Sequence, residues 1–341
     1  MNEKTRRNLQ DFALGVSTSD LQESRCDLSA SDLRDLRRDS QDTQDSQDLR
    51  DKARREFLAD SAKIAGITAL ATALPLSANT SAKSTKGANM NLSTTAKQNH
   101  AKLFGNISGG VAKTDPEFIE NYANFAFDEV FAESKSIDLQ TRLKLILAAL
   151  IAVQGKAEFR TMLTAALKNG VNPTEIKEII YQTTPYIGIG KSMDFLLLSN
   201  EVFKAQGIKL PLKPQGTTTR ENRAEKGLEV QRKFFGSAID KGNASAPNDE
   251  KHIRKFLSAN CFGDYYTREG LELHFRELLT FVILASLGGA DSQVKAHIQG
   301  NLNIGHSRAF LIEVITALVP YIGYPRSLNA LAALDELTLK K

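Results

Sequence analysis

TPYIG at residues 184–188 and VPYIG at residues 319–323 are almost the same pentapeptide, each followed by a basic residue, a serine and an apolar run (GIGKSMDFL and GYPRSLNAL). The copies lie 135 positions apart, and at that offset Leu167, Gly170, Glu178, Ile180 and Ser192 meet Leu302, Gly305, Glu313, Ile315 and Ser327. With one residue of slack, Arg142 meets Arg276 and Gly155 meets Gly289. Similarity sustained in this way marks an internal duplication of a helical unit of roughly 100 residues. Proline ends or kinks a helix, tyrosine and isoleucine bury, and glycine takes the backbone through a turn that a Cβ would obstruct. The phrase recurs because it is a joint of the fold, and by itself it carries no chemistry.

Working outward from the joints, apolar residues at helical spacing run through Phe118, Tyr122 and Phe125, then Leu143, Leu147, Leu150 and Ile151, then Ile176, Ile179 and Ile180. Strand alternation is scarce. NGVNPTE at 169–175 is a turn followed by a helix start, and IKLPLKPQGTTTREN after Gly207 reads as an interdomain linker. The fold class is therefore all-α, with two tandem helical domains at 116–206 and 223–341, a linker at 207–222 and a polar linker at 83–115.

The 341 residues are 41% hydrophobic and 25% charged, a globular balance, with a formal net charge of +4. Lysines and arginines are interleaved with acids, without the basic stripe or aromatic-basic pattern that nucleic-acid binding needs. Two cysteines, Cys26 and Cys261, make neither a disulfide framework nor a CxxC pair. His274, His297 and His306 lack metal-site spacing on any one helix, so no metal is expected.

Residues 1–52 are polar and repetitive and hold too little apolar surface to offset the entropy of ordering; they read as a disordered leader. Residues 53–82 pair Arg54 and Arg55 with Phe57 and Leu58, then run uncharged from Ile64 to Leu76 and end in small residues. That pattern looks like a twin-arginine export signal cleaved after Ala82, and it is too short for a stable membrane span. A surface helix with a chance arginine pair is the alternative. Export implies the twin-arginine translocase as a partner and a periplasmic location, or a cytoplasmic one if the signal is unused.

The stretch from EKGLEVQRKFFG at 225 through RELLTF, VKAHIQGNLNIG and PYIGYPRSLNALAALDE resembles the carboxymuconolactone decarboxylase family over its length, and FAFDEVFAE to SNEVFK looks like a diverged copy. The resemblance implies an alkylhydroperoxidase D-like helical fold. It also implies ring-like homo-oligomers, which a fused pair would reach as a trimer of two-domain chains. Thiol relay members of this superfamily carry a CxxC ahead of the helix histidine. Here that place reads ADSQVKAH, with Ala290 and Gln293.

Of the histidines at 100, 252, 274, 297 and 306, none falls in the first repeat, where Met162 aligns with His297 and Leu143 with Glu277. One working site and one scaffolding site are expected. Taken alone, His297 reads as a satisfied core residue, and Glu277 as an acid favoured by the helix dipole. The resemblance implies instead that they are catalytic, on a carboxylated lactone that loses carbon dioxide without metal or cofactor. His297 would deliver a proton to carbon, with Glu277 setting its tautomer. Arg268 is the expected carboxylate clamp, Arg276 a weaker one that doubles as a structural ion pair, and Tyr265 a donor to the lactone oxygen or simple packing. A binding or assembly protein with a vestigial pair and a thiol-independent antioxidant protein are the other readings.

Overall fold

The computed structural model describes residues 90–105 and 110–339, and all regular structure among them is helical. The leader, the export-signal segment with Ala82 and the start of the first linker lie outside the described residues. The first half contains α1 (Thr94–Phe104), α2 (Pro116–Asn124), a π-helical stretch Phe125–Glu129, α3 (Leu139–Ala152), α4 (Lys156–Lys168), α5 (Pro173–Ile187) and α6 (Ile189–Ala205). The second contains α7 (Arg223–Phe235), α8 (Ala238–Ser245), α9 (Lys251–Phe256), a longer π-helical stretch Leu257–Tyr266, α10 (Leu273–Leu287), α11 (Asp291–Asn303), α12 (Arg308–Ile322) and α13 (Tyr324–Thr338).

The order α3–α6 is repeated as α10–α13, and the joints show how the repeated phrase works. Pro185 and Pro320 sit inside the last turns of α5 and α12. Gly188 (φ 80°) and Gly323 (φ 78°) then form a one-residue corner in the left-handed region, and the next helix starts at once. At the start of α5, Asn172 accepts from the Thr174 amide at 2.8 Å while Glu175 accepts from the Asn172 amide at 3.1 Å. This capping box fixes where the chain leaves its turn.

Residues 83–115, expected as a polar linker, contain α1. Ser93 caps it, with its Oγ accepting from the Ala96 amide at 3.0 Å. Ala96 and Leu103 are buried, and Asn99 donates to the Phe127 carbonyl at 2.7 Å. The segment looked like linker because α1 buries so few apolar residues, but Leu103 and Phe104 join the main cluster and the His100 and Phe104 rings pack on Phe127. The 207–222 stretch is non-helical, but it is pinned to the second half: Gln215 O accepts from the Glu269 amide, and Thr217 and Thr218 donate to the Thr267 and Gly263 carbonyls.

The centre is made by two helices whose middle turns are buried on every side. Helix α10 buries Leu278, Leu279, Phe281, Val282, Ile283 and Leu284, and α3 buries Leu143, Leu145, Ile146, Leu147, Leu150 and Ile151. A helix apolar all round belongs in the interior. They pack on each other, and each also receives a helix from the opposite half, α12 against α3 and α5 against α10. One hydrophobic cluster accordingly runs through both repeats. At about 1.5–3 kcal/mol per large buried apolar side chain, neither half could lose the other's cover and keep its stability.

A second, smaller cluster joins α7 to the long π-helical stretch through Val230, Phe234, Cys261, Phe262 and Tyr266. The backbones touch there. A Cβ on Gly227 would stand 1.9 Å from the Ser258 carbonyl oxygen, and one on Gly263 would stand 2.1 Å from that of Arg223. Neither neighbour is a side chain that can swing away. Gly227→Ala and Gly263→Ala are each expected to cost about 3 kcal/mol in denaturant unfolding. A loss below about 0.5 kcal/mol would show that the two segments do not need this contact.

Candidate functional site

Glu277 lies on central helix α10 with no solvent exposure, so its carboxylate needs partners inside the protein. It has two. Its Oε1 is 2.7 Å from His297 Nδ1 on α11, and its Oε2 accepts from the Tyr266 hydroxyl at 3.0 Å. With these two partners Glu277 is more than an acid favoured by the helix dipole.

The neighbouring residues make the meeting possible. Gly300 lies one turn beyond His297 on α11, and a Cβ there would fall 2.3 Å from Glu277 Oε1. Asn301 donates to the backbone carbonyls of Glu277 (3.1 Å) and His297 (2.7 Å), tying the two helices together at the level of the pair. Phe235 and Tyr186 set their rings near-perpendicular to the imidazole, with centroids at 5.4 and 6.4 Å. His297 Nε2 makes no hydrogen bond with any described residue, and the side chain keeps 10% of its surface exposed.

Behind Glu277 runs a continuous polar chain. The Tyr266 and Thr280 hydroxyls share a short hydrogen bond, Thr280 also bonds the Tyr186 hydroxyl at 3.2 Å, and the Cys261 thiol lies 3.6 Å from that same hydroxyl. Gln182 donates to Thr280 Oγ1 and accepts from Arg276, which in turn bonds Glu178. Burial pushes both phenols well above the ordinary tyrosine value, helped at Tyr266 by the Glu277 charge and at Tyr186 by Cys261. They remain protonated donors at neutral pH. Burial, with the Glu277 charge adding to it, also pushes the Cys261 thiol up to about 11, so it is a buried small hydrophobe and not a nucleophile.

Tyr186 belongs to the first half's PYIG joint, yet it completes the second half's cluster. The exchange is mutual: Tyr321, from the second joint, pairs with Tyr122 of the first half, which in turn donates to Glu158 at 3.2 Å. At the positions matching Glu277 and His297, however, Leu143 and Met162 are buried and apolar. The ionisable pair exists once.

The other expected site residues fall elsewhere. Arg268 turns its Nε and Nη2 onto both oxygens of Glu178, at 2.9–3.1 Å, so its fork is filled by the chain's own carboxylate. Arg276 is fully buried, with Nη2 on Glu178 and the Arg268 and Glu269 carbonyls and Nη1 on Gln182. Neither offers a bidentate clamp to a ligand, and Arg276 takes its structural role. Tyr265 is half-buried beside Asp264 and Arg268, while its neighbour Tyr266 reaches Glu277. The π-helical stretch explains the miss, because its wider turns shift the buried face relative to a 3.6-residue period. Nothing in the sequence pattern distinguished Tyr266 or Tyr186 from packing.

A groove of about 630 Å³ borders the cluster, walled by Lys226, Glu229, Val230 and Lys233 of α7, by Glu175, by Tyr266, and by residues 267–273. Tyr266 is the member of the cluster on its wall; Glu277 and His297 do not line it. Among the described residues no group of three or more His, Cys, Asp or Glu could hold a metal, and no helix is long and apolar enough to cross a membrane. The tight fit at Gly300 gives a direct check. Gly300→Ala should push the Glu277 carboxylate off the imidazole and cost about 2 kcal/mol by thermal or denaturant unfolding. An unchanged midpoint would mean that the close approach is not needed.

The sequence pattern of the carboxymuconolactone decarboxylase family matches this chain twice, at residues 116–201 and 252–336. A curated relative, 4-carboxymuconolactone decarboxylase of Acinetobacter baylyi (strain ATCC 33305 / BD413 / ADP1), is 30% identical over 118 residues, covering 34% of this chain and 87% of the relative. A crystal structure described as a gamma-carboxymuconolactone decarboxylase subunit, from Burkholderia xenovorans LB400, shares 19% identity at a TM-score of 0.42, covering 71% of this chain and 96% of that one. With a family match on each repeat, and the two together spanning half of its length, this chain belongs to the carboxymuconolactone decarboxylase family.

Proposed function

We propose that the second half is a cofactor-independent decarboxylase, or a related lactone-processing enzyme, acting on a small carboxylated lactone. The observation that carries this reading is the 2.7 Å contact between Glu277 and His297 Nδ1, which leaves Nε2 as the imidazole's free nitrogen. Glu277 accepts the Nδ1 proton and so fixes the tautomer, in the manner of carboxylate-oriented histidines elsewhere. In the proposed step the bond from carbon to the carboxylate breaks, and its electron pair moves into the lactone's conjugated carbonyl. Carbon dioxide leaves, and the imidazole, which has first taken a solvent proton on Nε2 while Nδ1–H stays on Glu277, gives that Nε2 proton to carbon and returns to its neutral tautomer. No electron acceptor outside the substrate is required.

The Tyr186 hydroxyl, held protonated by burial, would meet charge on the lactone oxygen, while the Tyr266 hydroxyl is committed to Glu277. The family relationship supports the reaction class, since the A. baylyi relative is named for that activity.

We further propose that the chain assembles as a trimer and is exported through the twin-arginine route. Support for assembly comes from matched apolar stripes. Ile189, Met193 and Leu197 are exposed on α6, and Tyr324 and Leu328 are exposed at the corresponding places on α13. Met193→Glu together with Leu328→Glu should shift the sedimentation of the purified chain toward monomer. Sedimentation unchanged from wild type would remove the stripes as the interface.

The enzyme reading is tested by carbon dioxide release from candidate carboxylated lactones. His297→Gln, whose amide can still donate to Glu277, is expected to lower kcat by about 10²–10⁴ with a lowered unfolding midpoint but a retained fold, and Glu277→Gln to lower kcat less. Activity equal to wild type in His297→Gln would leave a binding or assembly role for this cluster.

A further inference from the structure

Lys177, on α5, is 5% exposed, and none of the described carboxylates lies within ion-pair distance of it. Its Nζ donates to Ser199 Oγ at 2.7 Å and to Asn200 Oδ1 at 2.5 Å, both on α6, and stands 5.2 Å from the Phe203 ring centroid. Its sequence neighbour Glu178 is spent on Arg268 and Arg276. Burial without a counter-charge brings the amine down to about 8.

The duplication supplies an internal control for whether the fold needs this lysine. At the same offset of 135, Lys177 and Ser199 correspond to Ile312 and Leu334, which close the equivalent helix pair with apolar contacts. An amine at this position is therefore not demanded by packing, and burying it opposes folding. Two acceptors on Nζ satisfy the two hydrogens of a neutral amine and leave its lone pair uncommitted.

Lys177 and Asn200 line a pocket of about 410 Å³ on the first half, together with Thr174, Tyr181, Lys213 and Arg268. The Lys213 ammonium and Arg268 Nη1 make no hydrogen bond with any described residue. The pocket thus offers an amine beside the Lys213 ammonium and the one Arg268 nitrogen that Glu178, also on the pocket wall, leaves open.

We propose that Lys177 is the nucleophile of a second site, separate from Glu277 and His297, that takes a small oxo acid as a reversible imine. The Nζ lone pair attacks the carbonyl carbon to give a carbinolamine, which loses water to leave a C=N bond. Hydrolysis reverses the step, and nothing is oxidised or reduced. Lys213 and Arg268 receive the ligand's carboxylate.

The test is reductive trapping on the full chain. Glyoxylate with cyanoborohydride at pH 7, followed by peptide mass spectrometry, should place the reduced adduct on Lys177 about tenfold or more faster than on exposed lysines. Propionaldehyde should show a smaller preference for Lys177 over the same exposed lysines. Lys177→Met, whose apolar shape the Ile312 counterpart shows to be accepted, should lose the adduct while keeping the fold. Trapping of Lys177 no faster than the exposed lysines overturns the proposal. An equal preference with the uncharged aldehyde overturns the oxo-acid assignment.

Discussion

A carboxylate cannot sit unpaired in an apolar helix core, because the loss of water costs more than packing returns. Glu277 occupies that position, on the helix most completely surrounded by protein, and the local architecture answers the constraint. Tyr266 reaches it from a wide-turned helix, His297 from α11, Gly300 gives its oxygen room, and Asn301 holds the two backbones at matching height. One buried charge therefore sets the orientation of the imidazole, and with it the nitrogen that stays free.

The constraint also binds the halves to each other. The cluster around Glu277 draws Tyr186 and Gln182 from the first repeat, and the ion pair between Arg276 and Glu178 crosses the same boundary. Tyr321 makes the reverse crossing. Once two copies complete each other's interior in this way, only one needs to keep the ionisable pair. The other can fill the matching places with Leu143 and Met162 and serve as cover. The first half has in turn gained a polar group of its own, Lys177 with Ser199 and Asn200, where the second half is apolar. The copies have diverged in which of them holds which polar site.

Several expectations from sequence were displaced for one shared reason: side-chain charge and residue type do not reveal a long-range partner. Arg268 has the residue type of a substrate clamp, but a carboxylate ninety positions away already fills its fork. Tyr265 and Tyr266 are identical in type, and the π-helical phase alone decides which faces inward. The segment at 83–115 is polar in composition, yet a capped helix within it packs through only a few apolar residues.

The sequence by itself determined the helical class, the duplication and its offset, the glycine corners, and the asymmetry that leaves one histidine and one glutamate without counterparts. Each of these is written in local spacing or in self-comparison, which need no knowledge of distance in space. Only the tertiary structure decided that Glu277 and His297 touch, that Tyr186 and Tyr266 and not Tyr265 join them, and that both arginines pair with Glu178. Those facts depend on how helices far apart in the chain are pressed together around two central ones, and a buried charge takes whichever partner that packing brings within reach.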